Sequence, residues 1–124
     1  MNILIIEPDV ILARQYQKAF LAGGVTAHVA HDAQTAIAAV DTKKPDVIVL
    51  ELQIAGHSGV EFLHELRSYE DWSNIPVVIH SSVPEYALGT DPKVWRQFGV
   101  ERYFYKPKTK LQQLVGAVKS IANE

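Results

Sequence analysis

Pro45-Asp46-Val47-Ile48-Val49-Leu50-Glu51 is the stretch on which the fold turns. Lys44-Pro45-Asp46 makes a turn, because proline and aspartate both favour turn geometry. Val47–Leu50 is wholly apolar and rich in β-branched residues, the pattern of a strand covered on both faces. An acidic residue, Glu51, follows it at once. Other apolar runs stop just as abruptly at polar groups. Ile3–Ile6 runs into Glu7-Pro8-Asp9, residues 76–80 into Ser81-Ser82, and residues 103–105 into Lys106-Pro107. Residues 25–30 supply one further short strand.

Between these runs apolar residues recur at helical spacing. From about Val10 to Ala22 the stripe is Leu12, Tyr16, Ala19 and Phe20, and Gly23-Gly24 ends it. Asp32 is an N-cap candidate for a helix with Ala33, Ala36, Ile37 and Val40 on one side. Residues 53–58 form a loop leading through Gly56 and Gly59 to a helix with Val60, Leu63, Leu66 and Tyr69. Residues 82–90 are irregular, with Pro84 and Gly89 inside. Asp91-Pro92 then opens a short helix carrying Val94, Trp95 and Phe98. Thr109 and Gln112 predict a capping box for a last helix that buries Leu111, Leu114, Val115, Val118 and Ile121. Alternation of five strands with five helices predicts an α/β domain over residues 1–124, a doubly wound parallel sheet with right-handed crossovers. Ligands of such sheets sit beyond the carboxyl ends of the strands, which directs attention to Glu7-Pro8-Asp9, Glu51, Ser81-Ser82 and Lys106.

Composition narrows the functions. The chain has 124 residues, 48% of them apolar, and no cysteine, which excludes disulfides and thiolate metal sites. A net charge of −2 without a basic stripe argues against nucleic acid as this domain's partner. Its apolar runs are too short for a membrane span, and Met1-Asn2-Ile3-Leu4 does not resemble a secretion signal, so a cytoplasmic location is expected. The five histidines share no metal-ligand spacing; His80, at a strand end, is expected to be packed or hydrogen-bonded.

Taken together, the strand ends resemble the receiver domains of response regulators in two-component phosphorelay signalling, the CheY-like superfamily. The opening Ile3-Leu4-Ile5-Ile6-Glu7-Pro8-Asp9, the segment ending at Glu51, Gly56-His57-Ser58-Gly59, Pro76-Val77-Val78-Ile79-His80-Ser81-Ser82 and the closing Gly99 to Pro107 fall in the family's order along the whole chain. The resemblance implies a flavodoxin-like sheet of strand order 2-1-3-4-5. It makes Glu51 the counterpart of the phosphate-accepting aspartate. Glu7 and Pro8 match the acidic pair that holds Mg²⁺, with the Gln53 carbonyl as a further ligand. Asp9 adds to the acidic group or simply caps the first helix. Ser81 and Tyr103 match the switch residues, Lys106 the lysine that pairs with the acceptor, and Pro107 a cis-proline.

Two departures fall on the chemistry. Pro8 offers no side-chain oxygen to a metal that demands octahedral oxygen ligands, so Mg²⁺ binding is disfavoured and no cofactor is expected. Glu51 is one methylene longer than aspartate, and a misplacement of about 1 Å can cost about a hundredfold in rate. The expectation is an atypical pseudo-receiver, not an enzyme, that acts through protein contacts without phosphorylation. Its partners would be a signalling protein such as a histidine kinase, or a second copy in a homodimer. Tyr86, Leu88, Trp95 and Tyr105 are the expected contact residues; in the other arrangement Trp95 and Phe98 pack inward while Tyr86 and Leu88 fold over the pocket. Three alternatives stay open. They are a conventional receiver phosphorylated on Glu51 or a nearby hydroxyl, a flavodoxin-like small-molecule module, and a Glu7–Glu51–Lys106 ion cluster with no signalling role.

Overall fold

A computed structural model of the chain describes residues 1–54, 58–88 and 91–124. The sequence readings at Gly56, His57 and Gly89 lie outside the described residues. Strands β1 (Ile3–Ile6), β2 (Ala27–Ala30), β3 (Val47–Leu50), β4 (Val77–Ser81) and β5 (Val100–Tyr105) form one parallel sheet in the order β2-β1-β3-β4-β5. Helices α1 (Val10–Ala22), α2 (Ala33–Thr42), α3 (Gly59–Ser68), α4 (Pro92–Gln97) and α5 (Leu111–Ala122) cover it, with 3₁₀ turns at Glu70–Trp72, Glu85–Leu88 and Lys106–Lys108. This is the doubly wound, flavodoxin-like architecture expected from the sequence.

Side chains alternate across each strand, so the sheet divides the core into two layers. Leu4, Ile6, Ile48, Leu50, Val77 and Ile79 face α2, α3 and α4. Ile3, Ile5, Val47, Val49 and Val78 face α1 and α5. The same alternation, continued past the apolar runs, directs Glu7, Glu51 and His80 toward the layer of α1 and α5.

Between Val77 and Val78 the register with β5 shifts, and Val78 pairs with Arg102. The extra residue, Glu101, is a bulge that exchanges the faces of everything after it. Tyr103 consequently lies beside Ile79 in the α2–α4 layer, against Trp95 at a ring separation of 5.8 Å.

Helix boundaries follow their caps. Asp9, Asp32, Ser58 and Asp91 each accept a backbone N–H of the first turn. Helix α5 departs from the expected Thr109–Gln112 box by one residue: Gln113 Oε1 accepts from the Lys110 N–H at 2.9 Å. Thr109 Oγ1 instead donates to the Tyr105 carbonyl, because the 3₁₀ turn after β5 presents that acceptor first. Tyr69, expected in the α3 stripe, is exposed and stacks on Trp72, while Phe62 takes the buried position.

Arg67, near the end of α3, ties three segments together. Its guanidinium donates to the carbonyls of Phe98 (2.7 Å), Trp72 (2.9 Å) and Ile75 (2.7 Å). Gly99 lies against it at φ +73°, where a Cβ would come within 2.4 Å of Nη2, so both backbone and space require glycine there.

Candidate functional site

The carboxyl ends of β1, β3 and β4 and the start of the turn after β5 converge on one polar cluster. Strand pairing places its backbone: the Glu7 N–H donates to the Ala30 carbonyl and the Glu51 N–H to the Ile6 carbonyl, both at 3.0 Å. Glu7 and Glu51 are 2% and 4% exposed, a burial that carboxylates tolerate only when paired. Lys106 pairs with both. Its Nζ donates to Glu7 Oε1 at 2.5 Å and to Glu51 Oε1 at 2.8 Å.

The remaining oxygens are also occupied. Glu51 curls back, so that Oε2 accepts the N–H groups of Leu52 (2.6 Å) and Gln53 (3.3 Å). Its Oε1 takes the Ser82 N–H at 3.2 Å and the Ser82 hydroxyl at 3.3 Å. Glu7 Oε2 accepts from the Asp9 N–H at 3.1 Å. Burial pushes the Glu51 carboxyl upward, but the bond from Lys106, the nearby Ser81 hydroxyl and the Ser82 N–H outweigh it, leaving the group below its usual range. Lys106 behaves in the mirror sense. Desolvation lowers it, and its bonds to Glu51 and Glu7 raise it further, so the ammonium is held charged.

The structure brings together Glu7, Glu51 and Lys106 as the sequence suggested, and adds members to the cluster. Ser82 joins Ser81 here: its hydroxyl bonds Glu51 and the Gln53 side chain, beside the Ser81 hydroxyl that also helps hold the Glu51 carboxyl low. The Ser81 Oγ accepts from the Val83 N–H at 3.0 Å. Tyr16 and His80 lie behind Glu7 in the α1–α5 layer, where the Tyr16 hydroxyl is 3.5 Å from Glu7 Oε1 and also contacts His80 Nδ1. A tyrosine within a buried helical stripe was the available signal, since its hydroxyl has to find a partner.

Other expectations need correction. Asp9 does not join the acidic pocket: it is exposed and its carboxylate caps α1, accepting from the Leu12 N–H at 3.0 Å. Pro107 is not cis; the described residues contain no cis peptide bond. Proline occupies the first turn of the 3₁₀ segment Lys106–Lys108, a place its fixed φ suits, and the lysine stem still reaches both carboxylates. Trp95 is not a surface anchor but is 5% exposed, because a six-residue helix buries one face and its largest apolar side chain takes it. Leu88 packs half-buried against the same core, and Tyr105 is half-buried. Tyr86 alone of the four stands out, at 87% exposed, and does not fold over the pocket as a lid. Tyr103 turns its hydroxyl to the Val83 carbonyl at 2.5 Å, and burial with the charges of Glu51 and Glu85 pushes its pKa up to about 12.

His80 makes the site sensitive to acid. Burial and the Lys106 charge, opposed by Glu51, push its pKa down to about 4 from 6.5. The folded state therefore refuses a proton that the unfolded chain accepts. This contribution is fully present above pH 6.5, is lost progressively as pH falls, and is exhausted below about 4. Between pH 7 and pH 5 the expected loss is on the order of 2 kcal/mol. Urea unfolding of the protein beside His80→Leu checks it; equal slopes in that window would assign the effect elsewhere.

Residues 3–119 match the model of the response regulator receiver domain family. The chain belongs to that family, as a receiver domain of the two-component response regulators. Among curated relatives it is 30% identical over 106 residues to the KDP operon transcriptional regulatory protein KdpE of Escherichia coli, covering 80% of this chain and 46% of that protein. It is 26% identical to the probable transcriptional regulatory protein TcrX of Mycobacterium tuberculosis, covering 91% of this chain and 50% of the relative. The chain thus spans about half the length of the curated relatives it matches. Among solved structures, the receiver domain of the Francisella response regulator 1452 superposes with a TM-score of 0.85 at 24% identity, covering 98% of this chain and 96% of that one. HP1043, an orphan response regulator of H. pylori, gives 0.76 at 18%, covering 98% and 96%. At these identities the structural likeness is one of fold. Among the described residues no helix is long and apolar enough to cross a membrane, and no group of three or more His, Cys, Asp or Glu residues could hold a metal ion.

Proposed function

We propose that this receiver acts without an acyl phosphate, as a cytoplasmic protein-interaction module whose pocket is closed by an internal cation. The observation that carries it is the Lys106 ammonium seated between Glu7 and Glu51. An octahedral Mg²⁺ needs several oxygens. Position 8 supplies no side-chain oxygen, and the oxygens of Glu7 and Glu51 already accept bonds from within the chain. The donor set does not fit the metal. Without metal charge a phosphoryl transfer to Glu51 loses its main stabilisation, and the carboxylate would first have to leave Lys106, Ser82 and the Leu52 N–H. Glu51 already occupies Lys106 and Ser82, and so serves as a partial stand-in for a phosphorylated side chain.

Output then depends on a partner meeting a pre-set surface. The partner class is another signalling protein, such as a histidine kinase, or a second copy of this chain. Exposed Tyr86 on the turn Glu85–Leu88, next to the α4–β5 edge, is the natural anchor, since exposed aromatics commonly dominate interfaces. The test has two arms. Acetyl phosphate with Mg²⁺ should leave the intact mass unchanged, and Tyr86→Ala should weaken self-association by light scattering or capture of a cognate kinase. A Mg²⁺-dependent gain of one phosphoryl group would restore the conventional mechanism. An unchanged Tyr86→Ala would move the interface to another face.

A further inference from the structure

Behind the ion cluster lies a buried hydrogen-bonded chain. Tyr16, on α1, is 1% exposed, and His80, on β4, is 3% exposed. The Tyr16 hydroxyl touches Glu7 Oε1 on one side and His80 Nδ1 on the other, with the two rings edge to face at 5.3 Å. His80 Nε2 is buried with no hydrogen-bond partner.

Proton positions can be assigned by asking which arrangement leaves the least unsatisfied. A hydroxyl carries one proton. If Tyr16 gave it to His80 Nδ1, its oxygen lone pairs would face a carboxylate that has no proton to offer. His80 would then be the Nε2–H tautomer, with a buried N–H lacking an acceptor, and orphaned buried donors are rarer than orphaned acceptors. If Nδ1 carries the proton, every contact becomes favourable and only one lone pair, on Nε2, is left over.

We infer that Tyr16 and His80 are positioning residues for the pocket: His80, as its Nδ1–H tautomer, donates to the Tyr16 hydroxyl, which donates to Glu7 Oε1 and holds that carboxylate on Lys106. The chain therefore runs from β4 through α1 to the ammonium, with every donor directed toward negative charge. Burial keeps both aromatic groups neutral: the Tyr16 phenol is held well above its ordinary value by desolvation and the charges of Glu7 and Glu51, and His80 is held down to about 4. The consequence for the pocket is that Glu7 is turned inward and its Oε1, already bonded by Lys106, is not free for a metal. This deepens the reading of the closed pocket, yet the proton assignment stands or falls separately from phosphorylation.

The experiment is long-range ¹H–¹⁵N correlation on histidine-labelled protein, with side-chain carboxyl ¹³C signals of the glutamates. His80 should show a pyrrole-type Nδ1 and a pyridine-type Nε2. Tyr16→Phe should shift the His80 tautomer toward Nε2–H and move the Glu7 carboxyl signal more than that of Glu51. His80→Asn, whose side-chain amide can still donate to Tyr16, should preserve the Glu7 signal, whereas His80→Leu should move it as Tyr16→Phe does. Added to Pro8→Asp, Tyr16→Phe should tighten Mg²⁺ binding several-fold. An Nε2–H tautomer in the unmodified protein, or a Glu7 signal indifferent to Tyr16→Phe, overturns the inference. A phosphorylated but Nδ1–H protein would instead overturn only the phosphate-free reading.

Discussion

Lys106→Met should lower the unfolding free energy at pH 7 by about 3 kcal/mol or more, the usual cost of removing one partner from a buried ion cluster. The size follows from what is left behind. Glu7 and Glu51 are both nearly inaccessible, and Lys106 Nζ is the only ammonium bonded to either of them among the described residues. The Leu52 and Ser82 N–H groups remain for Glu51, so the pocket is not stripped of donors. It is stripped of its positive charge. The pH dependence separates this cause from lost packing. In the variant the Glu51 carboxyl should rise above its unfolded value, so protonation favours the folded state and the gap to the parent protein should narrow as pH falls toward 5. Urea titrations at pH 7.5 and pH 5 measure it. A gap that stays constant with pH would mean that the lysine stem, not its charge, is what the fold needs.

Pro8→Asp combined with Glu51→Asp should create Mg²⁺ binding, at least about tenfold tighter than any residual affinity of the parent, or about 1.4 kcal/mol. Aspartate at 8 supplies the missing carboxylate. Shortening residue 51 by a methylene withdraws its head from the clasp formed by Ser82 and its own following N–H groups, freeing oxygen for the metal. Pro8→Asp alone should gain less, because Glu51 keeps its bonds. Calorimetry and backbone chemical shifts at Ser81, Tyr103 and Lys106 report the outcome, and acetyl phosphate should then add one phosphoryl group. A folded double variant that neither shifts with Mg²⁺ nor gains mass would locate the block elsewhere, with the Tyr16–His80 chain as the first suspect.

What the sequence disclosed was governed by period and by strand ends. Val47–Leu50 and Ile3–Ile6 were legible because a doubly covered strand admits only apolar residues. Glu7, Glu51 and Lys106 followed, since strand ends in this topology share one edge. Strand β5 was read three residues short because Glu101 and Arg102 are charged and sit at a bulge on the sheet's edge, where alternation breaks. The same bulge decides which layer Tyr103 enters, and no local pattern announces it. Trp95 looked like a surface anchor because a short helix with Val94, Trp95 and Phe98 gives no clear phase; packing against Tyr103 chose it. Alternation along β4 assigns His80 its layer, but that its ring meets Tyr16, and that Ser82 just past the strand meets Glu51, needed the folded positions of α1 and of the chain after β3.

The three acceptors that Arg67 grips are backbone carbonyls, and a carbonyl is the one hydrogen-bonding group every residue provides. The corner that carries α4 into β5 is therefore fastened independently of the side chains displayed around it. Tyr86, Val94 and their exposed neighbours can be exchanged wholesale while the fastening stays intact, provided Gly99 keeps its place. If partners meet this edge through Tyr86 as proposed, their preference is a replaceable cassette that selection, or a designer, can rewrite without renegotiating the scaffold.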